Sequence, residues 1–323
     1  MSKSDQTDDY RFLHLDSKGP RDEQQDAGVC LSTPDKGTAL LVVCDGVGGK
    51  GGGGLASQTV TELARQICHD RQGIMPDPVE DLTTFCREAH ERINQEGSKQ
   101  ELSPRTTLVA LYLTPTQAYW VHSGDSRFYH FRAGQLLQRT EDHSVLQILV
   151  KQGMVAEKDM GTHPDQGALL QSLGGEEYKP PTSGRADISS EDGFLLCTDG
   201  FWERTKVAEM AELMFCPPSE ATFLLEQAVA RAVQRNGPDG DNVTVAVARP
   251  VANKIRLGKR TNRRVALILL AALLAFFAVL LLRGTGRIDK HDGSPQVQHP
   301  ATSTAPVPNP SFDQSRKTVP AGQ

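Results

Sequence analysis

Three apolar runs in this chain end in an aspartate followed by a small residue, and a fourth aspartate stands just ahead of another such run. Leu40-Leu41-Val42-Val43-Cys44 stops at Asp45-Gly46, Phe194-Leu195-Leu196-Cys197-Thr198 stops at Asp199-Gly200, Trp120-Val121-His122-Ser123-Gly124 stops at Asp125-Ser126, and Asp241-Asn242 opens Val243-Thr244-Val245-Ala246-Val247-Ala248. If the strand after Asp241 runs antiparallel to those ending at Asp45 and Asp199, its start shares a sheet edge with their ends. The carboxylates then converge. Like charges held together raise each other's pKa unless something positive compensates, and a hard divalent cation with oxygen ligands is the usual compensator. The pattern therefore points to a Mg2+ or Mn2+ site.

The 323 residues suffice for one core domain and an appendage. A net charge of -5 gives no overall electrostatic footprint for nucleic acid. The six cysteines, Cys30, Cys44, Cys68, Cys86, Cys197 and Cys216, are scattered without a C-x-x-C pair. They read as reduced core thiols in a reducing compartment. The polar, acidic start from Met1 to Tyr10 does not resemble a signal peptide.

One segment departs from this pattern. Val265 to Leu282 is uncharged and apolar throughout, which as a helix covers roughly 27 Å against a bilayer core of ~30 Å. It is expected to span a membrane once. Lys254, Arg256, Lys259, Arg260, Arg263 and Arg264 precede it, whereas Arg283, Arg287 and Lys290 follow. The heavier basic flank stays inside. The expected organisation is a polar lead (1–11), a catalytic domain (12–250), a basic juxtamembrane linker (251–264), the transmembrane helix (265–282) and a disordered extracytoplasmic tail (283–323) rich in Pro, Ser, Thr and Gln. The localisation that follows is a single-pass cell (inner) membrane protein with its main domain cytoplasmic.

Along that domain, 26–31 and 38–44 read as strands around the turn Pro34-Asp35-Lys36-Gly37. Ala56, Val60, Leu63, Ala64 and Ile67 recur at helical spacing, as do Val79, Leu82, Phe85, Cys86, Ala89 and Ile93. Segments 107–113, 118–122, 127–132 and 135–138 predict a meander of short strands, and 144–152 a short helix. Residues 153–170 carry little pattern and are a candidate flap. Helices over 207–214 and 221–235 precede the strand from Val243. Strands and helices cluster rather than alternate, which favours an α+β fold: a four-layer sandwich of two mainly antiparallel β-sheets flanked by α-helices, plus the transmembrane helix.

From Phe12 to Arg249 the chain resembles the metal-dependent serine/threonine phosphatases of the protein phosphatase 2C family, bacterial and membrane-anchored in type. The likeness rests on eight motifs in order: Gly19-Pro20-Arg21-Asp22-Glu23-Gln24-Gln25-Asp26, Asp45-Gly46-Val47-Gly48-Gly49, Arg105-Thr106-Thr107, Gly124-Asp125-Ser126-Arg127, Asp142-His143-Ser144, Ser172-Leu173-Gly174, Thr198-Asp199-Gly200 and Asp241-Asn242-Val243-Thr244. The resemblance implies that Asp45, Asp199, Asp241 and the Gly46 carbonyl hold two Mn2+ or Mg2+ ions bridged by a water, with Asp26 close through water. It links Asp125 to a third, weaker ion and makes Arg21 the phosphate-binding arginine. It also implies a phosphorylated protein substrate and a cognate serine/threonine kinase whose action is reversed.

The chemistry explains the residue types. A phosphomonoester is hydrolysed very slowly without a catalyst, so a nucleophile at neutral pH and compensation of phosphoryl charge must both be supplied. Two metals a few Å apart do both. Arginine can grip two phosphate oxygens at once, which lysine cannot. Each aspartate alone could be a turn residue, and the functional reading rests on their combination. For Asp125 a structural turn with a salt bridge inside Gly-Asp-Ser-Arg is the competing reading, and His143 reads as a structural residue beside the flap.

The glycine run 48–54 fails as a P-loop, because Gly51 stands where Ser or Thr would hold Mg2+ and the spacing before Lys50 is wrong. Departures from the family include Gln25 and Gly54, each at a position where an acid is common, and Val47, where some members carry a histidine acid. The general acid is thus unassigned, with a water on the metals as the remaining candidate. Rival readings are a catalytically decayed membrane-tethered regulatory module and a membrane receptor sensing through its tail.

Overall fold

Continuous apolar runs form strands here because the central strands are covered on both faces. In β4 (Thr38–Cys44) every residue is buried. Leu41 and Val43 face one core, while Leu40, Val42 and Cys44 face another. A period of two with both faces apolar reads in sequence as an unbroken run. A computed structural model describes residues 3–6, 10–48 and 52–251.

In chain order the elements are β1 (Lys3–Gln6), β2 (Tyr10–Ser17), β3 (Ala27–Thr33), β4, β5 (Gly46–Val47), α1 (Gly52–Asp70), α2 (Pro78–Lys99), β6 (Arg105–Thr106), β7 (Leu108–Leu113), β8 (Gln117–Ser123), β9 (Arg127–Arg132), β10 (Gln135–Arg139), α3 (Val145–Lys151), β11 (Thr182–Asp187), β12 (Asp192–Cys197), α4 (Asp199–Trp202), α5 (Val207–Phe215), α6 (Ala221–Asn236) and β13 (Val243–Pro250). One sheet has the order β1-β2-β13-β12-β9-β10, a second the order β11-β8-β7-β4-β3, and β5 and β6 form a short ribbon. Every pairing is antiparallel.

Three cores hold these layers together. Phe12, Leu41, Val43, Leu111, Trp120, Phe128 and Phe194 fill the space between the sheets. Val60, Leu63, Leu82, Phe85 and Ile93 bind α1 and α2 to the second sheet, and Met210, Leu213, Leu225 and Val229 bind α5 and α6 to the first. The result is helix, sheet, sheet, helix. Among the described residues no helix is long and apolar enough to cross a membrane. The expected span at 265–282, its basic linker beyond Val251 and the tail lie outside the described residues.

Several strands carry no signal that sequence reading singled out, and β2 and β11 are the longest of them. β2 interrupts its apolar residues with Arg11, His14 and Asp16, yet it pairs with β13 along its whole length. β11 is a polar edge strand with mostly exposed side chains. The patternless stretch after α3 contains a short helical turn, Glu157–Thr162, whose Met160 is buried. It is tied down there: Arg127 Nη2 stands 3.6 Å from Met160 Sδ, and Arg204 Nη1 donates to the Gly161 carbonyl at 2.6 Å.

Candidate active site

Asp45, at the end of β4, is fixed through its backbone. Its N–H donates to Thr107 Oγ1 at 2.9 Å, and its carbonyl accepts from Thr106 Oγ1 and Thr107 N–H, both at 2.8 Å. Thr106 and Thr107 of the Arg105-Thr106-Thr107 motif are therefore the clamp that aims this carboxylate. Gly46 follows because nothing larger fits: a Cβ there would lie 2.2 Å from the Gly53 carbonyl oxygen and 2.5 Å from that of Gln25. The start of α1 passes against the Asp45 loop with no side chain between.

β13 begins where β12 ends, as the antiparallel argument requires. Asp199 and Asp241 thus meet at one edge of the first sheet, and Asp45 comes from the facing sheet rather than from a neighbouring strand. Asp26, just before β3, accepts from Thr198 Oγ1 at 2.9 Å. Gly200 abuts the backbone of Asn242, where a Cβ would lie 2.0 Å from the carbonyl oxygen. Asn242 organises the opposite wall. Its Nδ2 donates to the carbonyls of Lys18 (2.8 Å) and Glu23 (3.1 Å), and its Oδ1 accepts from Gln25 N–H at 2.7 Å. That staple brings Arg21 to the rim, where Nη2 reaches Asp241 Oδ2 at 3.0 Å and Nε donates to the Gly240 carbonyl at 2.9 Å.

Asp125 is buried in the turn between β8 and β9. Its carbonyl accepts from Trp202 Nε1 at 3.0 Å. The salt bridge imagined inside Gly-Asp-Ser-Arg is not there. Arg127 instead makes two 2.7 Å hydrogen bonds to Asp142, with its guanidinium carbon 3.3 Å from the Trp202 ring centroid. A planar cation with a bidentate carboxylate on its edge and an indole on its face is a firm platform for the turn above it. His143 is structural, accepting from Gly124 N–H through Nδ1 at 3.2 Å and stacking on His122 at 4.4 Å. Burial pushes its pKa down to about 4.

The electrostatics show one connected cluster. Burial raises the pKa of Asp45, and repulsion from Asp199, Asp26, Asp125 and Asp241 raises it further. Asp26 and Asp125 are also raised well above the carboxylate range, by burial first and Asp199 second. Asp199 is pushed up to about 6 by burial and by Asp241, while its contact with the Asp45 carboxyl acts the other way. Glu203, one helical turn beyond Asp199, was not singled out from sequence. Burial and Asp199 push it up to about 8.

The donors are hard oxygens throughout, the set that Mg2+ and Mn2+ take. Among the described residues no three His, Cys, Asp or Glu side chains close into a cage around one point.

Comparison with known proteins agrees with this geometry. The protein phosphatase 2C family model matches residues 18–234, about two thirds of the chain. The chain belongs to the protein phosphatase 2C family. The matched span ends before Asp241, which joins the cluster through the β12–β13 pairing. The serine/threonine protein phosphatase PstP of Mycobacterium tuberculosis is 31% identical over 217 residues, which is 66% of this chain but only 40% of that protein. The serine/threonine phosphatase stp of Listeria innocua is 29% identical over 70% of this chain and 89% of its own length. The PstP catalytic domain crystallised with 2 manganese ions superposes with a TM-score of 0.65 at 27% identity, covering 75% of this chain and 99% of that one.

Proposed function

We propose that this chain is a Mn2+- or Mg2+-dependent phosphatase acting on phosphoserine and phosphothreonine in proteins. The observation that carries the reading is the cluster of Asp26, Asp45, Asp125, Asp199 and Asp241, gathered from both sheets, with Arg21 reaching Asp241 at the rim. Asp45, Asp199, Asp241 and the Gly46 carbonyl would hold the ion pair, with Asp26 behind it and Asp125 at a third, weaker position. When bound, two such ions acidify a water and offset phosphoryl charge. Arg21 orients the phosphate from the rim, and its bond to Asp241 aligns its fork before substrate arrives. The Thr106–Thr107 clamp and the Asn242 staple hold the carboxylates in place, so little reorganisation is needed on binding.

The anchor belongs to the same proposal. The apolar run 265–282 with its heavier basic flank supports a single span, and the six free cysteines support a cytoplasmic catalytic domain. The family supports a serine/threonine kinase as the opposing enzyme. The test is direct. The purified chain will take up manganese and release phosphate from a phosphothreonine peptide and from p-nitrophenyl phosphate. Anomalous scattering from Mn2+-soaked crystals will show two peaks within about 4 Å. A chain that binds no manganese and hydrolyses neither substrate overturns the reading. Truncation after Arg260 will leave activity in solution, and the full chain will resist carbonate extraction from membranes.

A further inference from the structure

Beside the Asp45-Gly46 loop the surface forms a groove of about 420 Å3 whose lining includes Val47, Arg105, Leu170, Glu176, Glu177 and Lys179. It begins at the Asp45-Gly46 loop, because Val47 is the next residue and pairs with Arg105 across the β5–β6 ribbon. Val47 and Leu170 are exposed there at 38% and 43%.

Arg105 is the unusual member. It is exposed, and among the described residues its guanidinium makes no ion pair and no hydrogen bond. Its position is nevertheless set. The guanidinium lies against Gly175, where a Cβ would come within 2.8 Å of Nε and 3.1 Å of Cζ. Gly175 sits at φ +81° and is held by Asn94, whose Oδ1 accepts its N–H at 2.9 Å and whose Nδ2 donates to its carbonyl at 2.8 Å. The preceding Gly174 N–H donates to His90 Nδ1 at 3.1 Å, and Thr106 and Leu173 exchange backbone hydrogen bonds. Two residues of α2, one turn apart, thus anchor the loop on which the guanidinium rests. Lys179 is occupied by the Leu170 carbonyl at 3.1 Å and by Glu177 at 3.8 Å, and neither Glu176 nor Glu177 pairs with Arg105. An unpaired, pre-positioned cation next to exposed apolar surface has what it needs to grip a carboxylate bidentately.

Building on the phosphatase reading above, we propose that this groove receives the substrate segment flanking the phosphoresidue, and that Arg105 selects an acidic residue in it while Val47 and Leu170 contact an apolar neighbour. Arg105 is then a specificity determinant separate from the phosphate-orienting Arg21. The experiment compares phosphothreonine peptides that carry Asp, Ala or Lys at successive flanking positions, with the full chain and Mn2+. Wild type will prefer Asp over Ala at one or two positions by about tenfold in kcat/KM, and the preference will shrink as salt rises. Arg105→Ala will bring that ratio to about one, and Arg105→Glu will invert it in favour of Lys, an outcome a misfolded variant cannot give.

An active wild type with no acid preference overturns the proposal and leaves the phosphatase reading standing. So does an Arg105→Ala variant that loses the same factor on p-nitrophenyl phosphate as on every peptide, because the guanidinium would then serve the phosphoryl group itself. Inactivity of wild type toward all peptides and p-nitrophenyl phosphate overturns both.

Discussion

The two ends of β12 carry two aspartates in opposite electrostatic states. At its start, the Asp192 side chain is fully covered, and Arg132 reaches it through Nε at 2.6 Å and Nη2 at 3.0 Å. Ser189 N–H donates to it at 2.8 Å, and His130 Nε2 stands 3.2 Å away. Burial alone would raise its pKa, but these partners overcome it and hold the carboxyl at about 2. Just past the other end, Asp199 is surrounded by acids and pushed up to about 6. One strand therefore ends in a charge the fold neutralises for itself and in a charge it leaves for something else to neutralise. Buried acids come in both kinds, and the identity of the neighbours separates structural from functional ones.

The sharpest way to break this contrast is paired substitution. Asp199→Asn will reduce metal-dependent phosphate release by about a thousandfold or more. Asp192→Asn will keep turnover within about twofold but cost about 2 kcal/mol of stability in urea unfolding, because it leaves Arg132 without its buried partner. Similar kinetics for the two variants would erase the distinction.

The pH dependence gives opposite signs. Asp199 and Glu203 have folded pKa values of about 6 and about 8, above their unfolded values near 4. The metal-free protein therefore loses their stabilising contribution as pH rises from about 4 to about 8. Its melting temperature will fall across that window by several degrees, and saturating Mn2+ will restore it. Asp192 behaves in reverse: its contribution is present above pH 4 and is lost as pH falls through about 2. A metal-free melting temperature that is flat or rises between pH 5 and pH 8 would count against an uncompensated acid cluster.

The smallest effects are expected from the two arginines. Arg132→Lys will lower stability by about 1 kcal/mol without touching kinetics, since a lysine cannot bridge both oxygens of Asp192. Arg21→Lys will do the converse, lowering kcat/KM about tenfold with a melting temperature within a degree of wild type, because an exposed ion pair contributes little to folding.

Much of this was legible in sequence, for a physical reason. Strands buried on both faces have to be continuous apolar runs, so the acids that terminate them stand out, and Asp45, Asp125, Asp199 and Asp241 were visible this way. The antiparallel start of β13 beside the end of β12 followed from strand geometry. What escaped notice lacks such a signature. β11 has one solvated face and an open edge, so its sequence Thr-Ser-Gly-Arg-Ala-Asp carries no apolar alternation. Glu203 looks like any polar helix residue until α4 proves to be a single turn that carries it toward Asp199. The Arg127–Asp142 pair joins residues fifteen apart, a contact only the tertiary fold creates. Asn242 was read as a companion of Asp241, and its role in fastening the 18–25 loop depends on which backbone groups converge on it.

The position of β13 has a consequence for synthesis. The last strand of the domain inserts between β2 and β12, so the first sheet is completed only after the rest of the domain has emerged from the ribosome. Until it is, β2 lacks its long partner, Arg21 has no carboxylate to meet, and a nascent chain exposes an unpaired strand edge. Asp241 can join Asp199 only once β13 has paired with β12, so the acid cluster is incomplete in any chain that stops short of this strand.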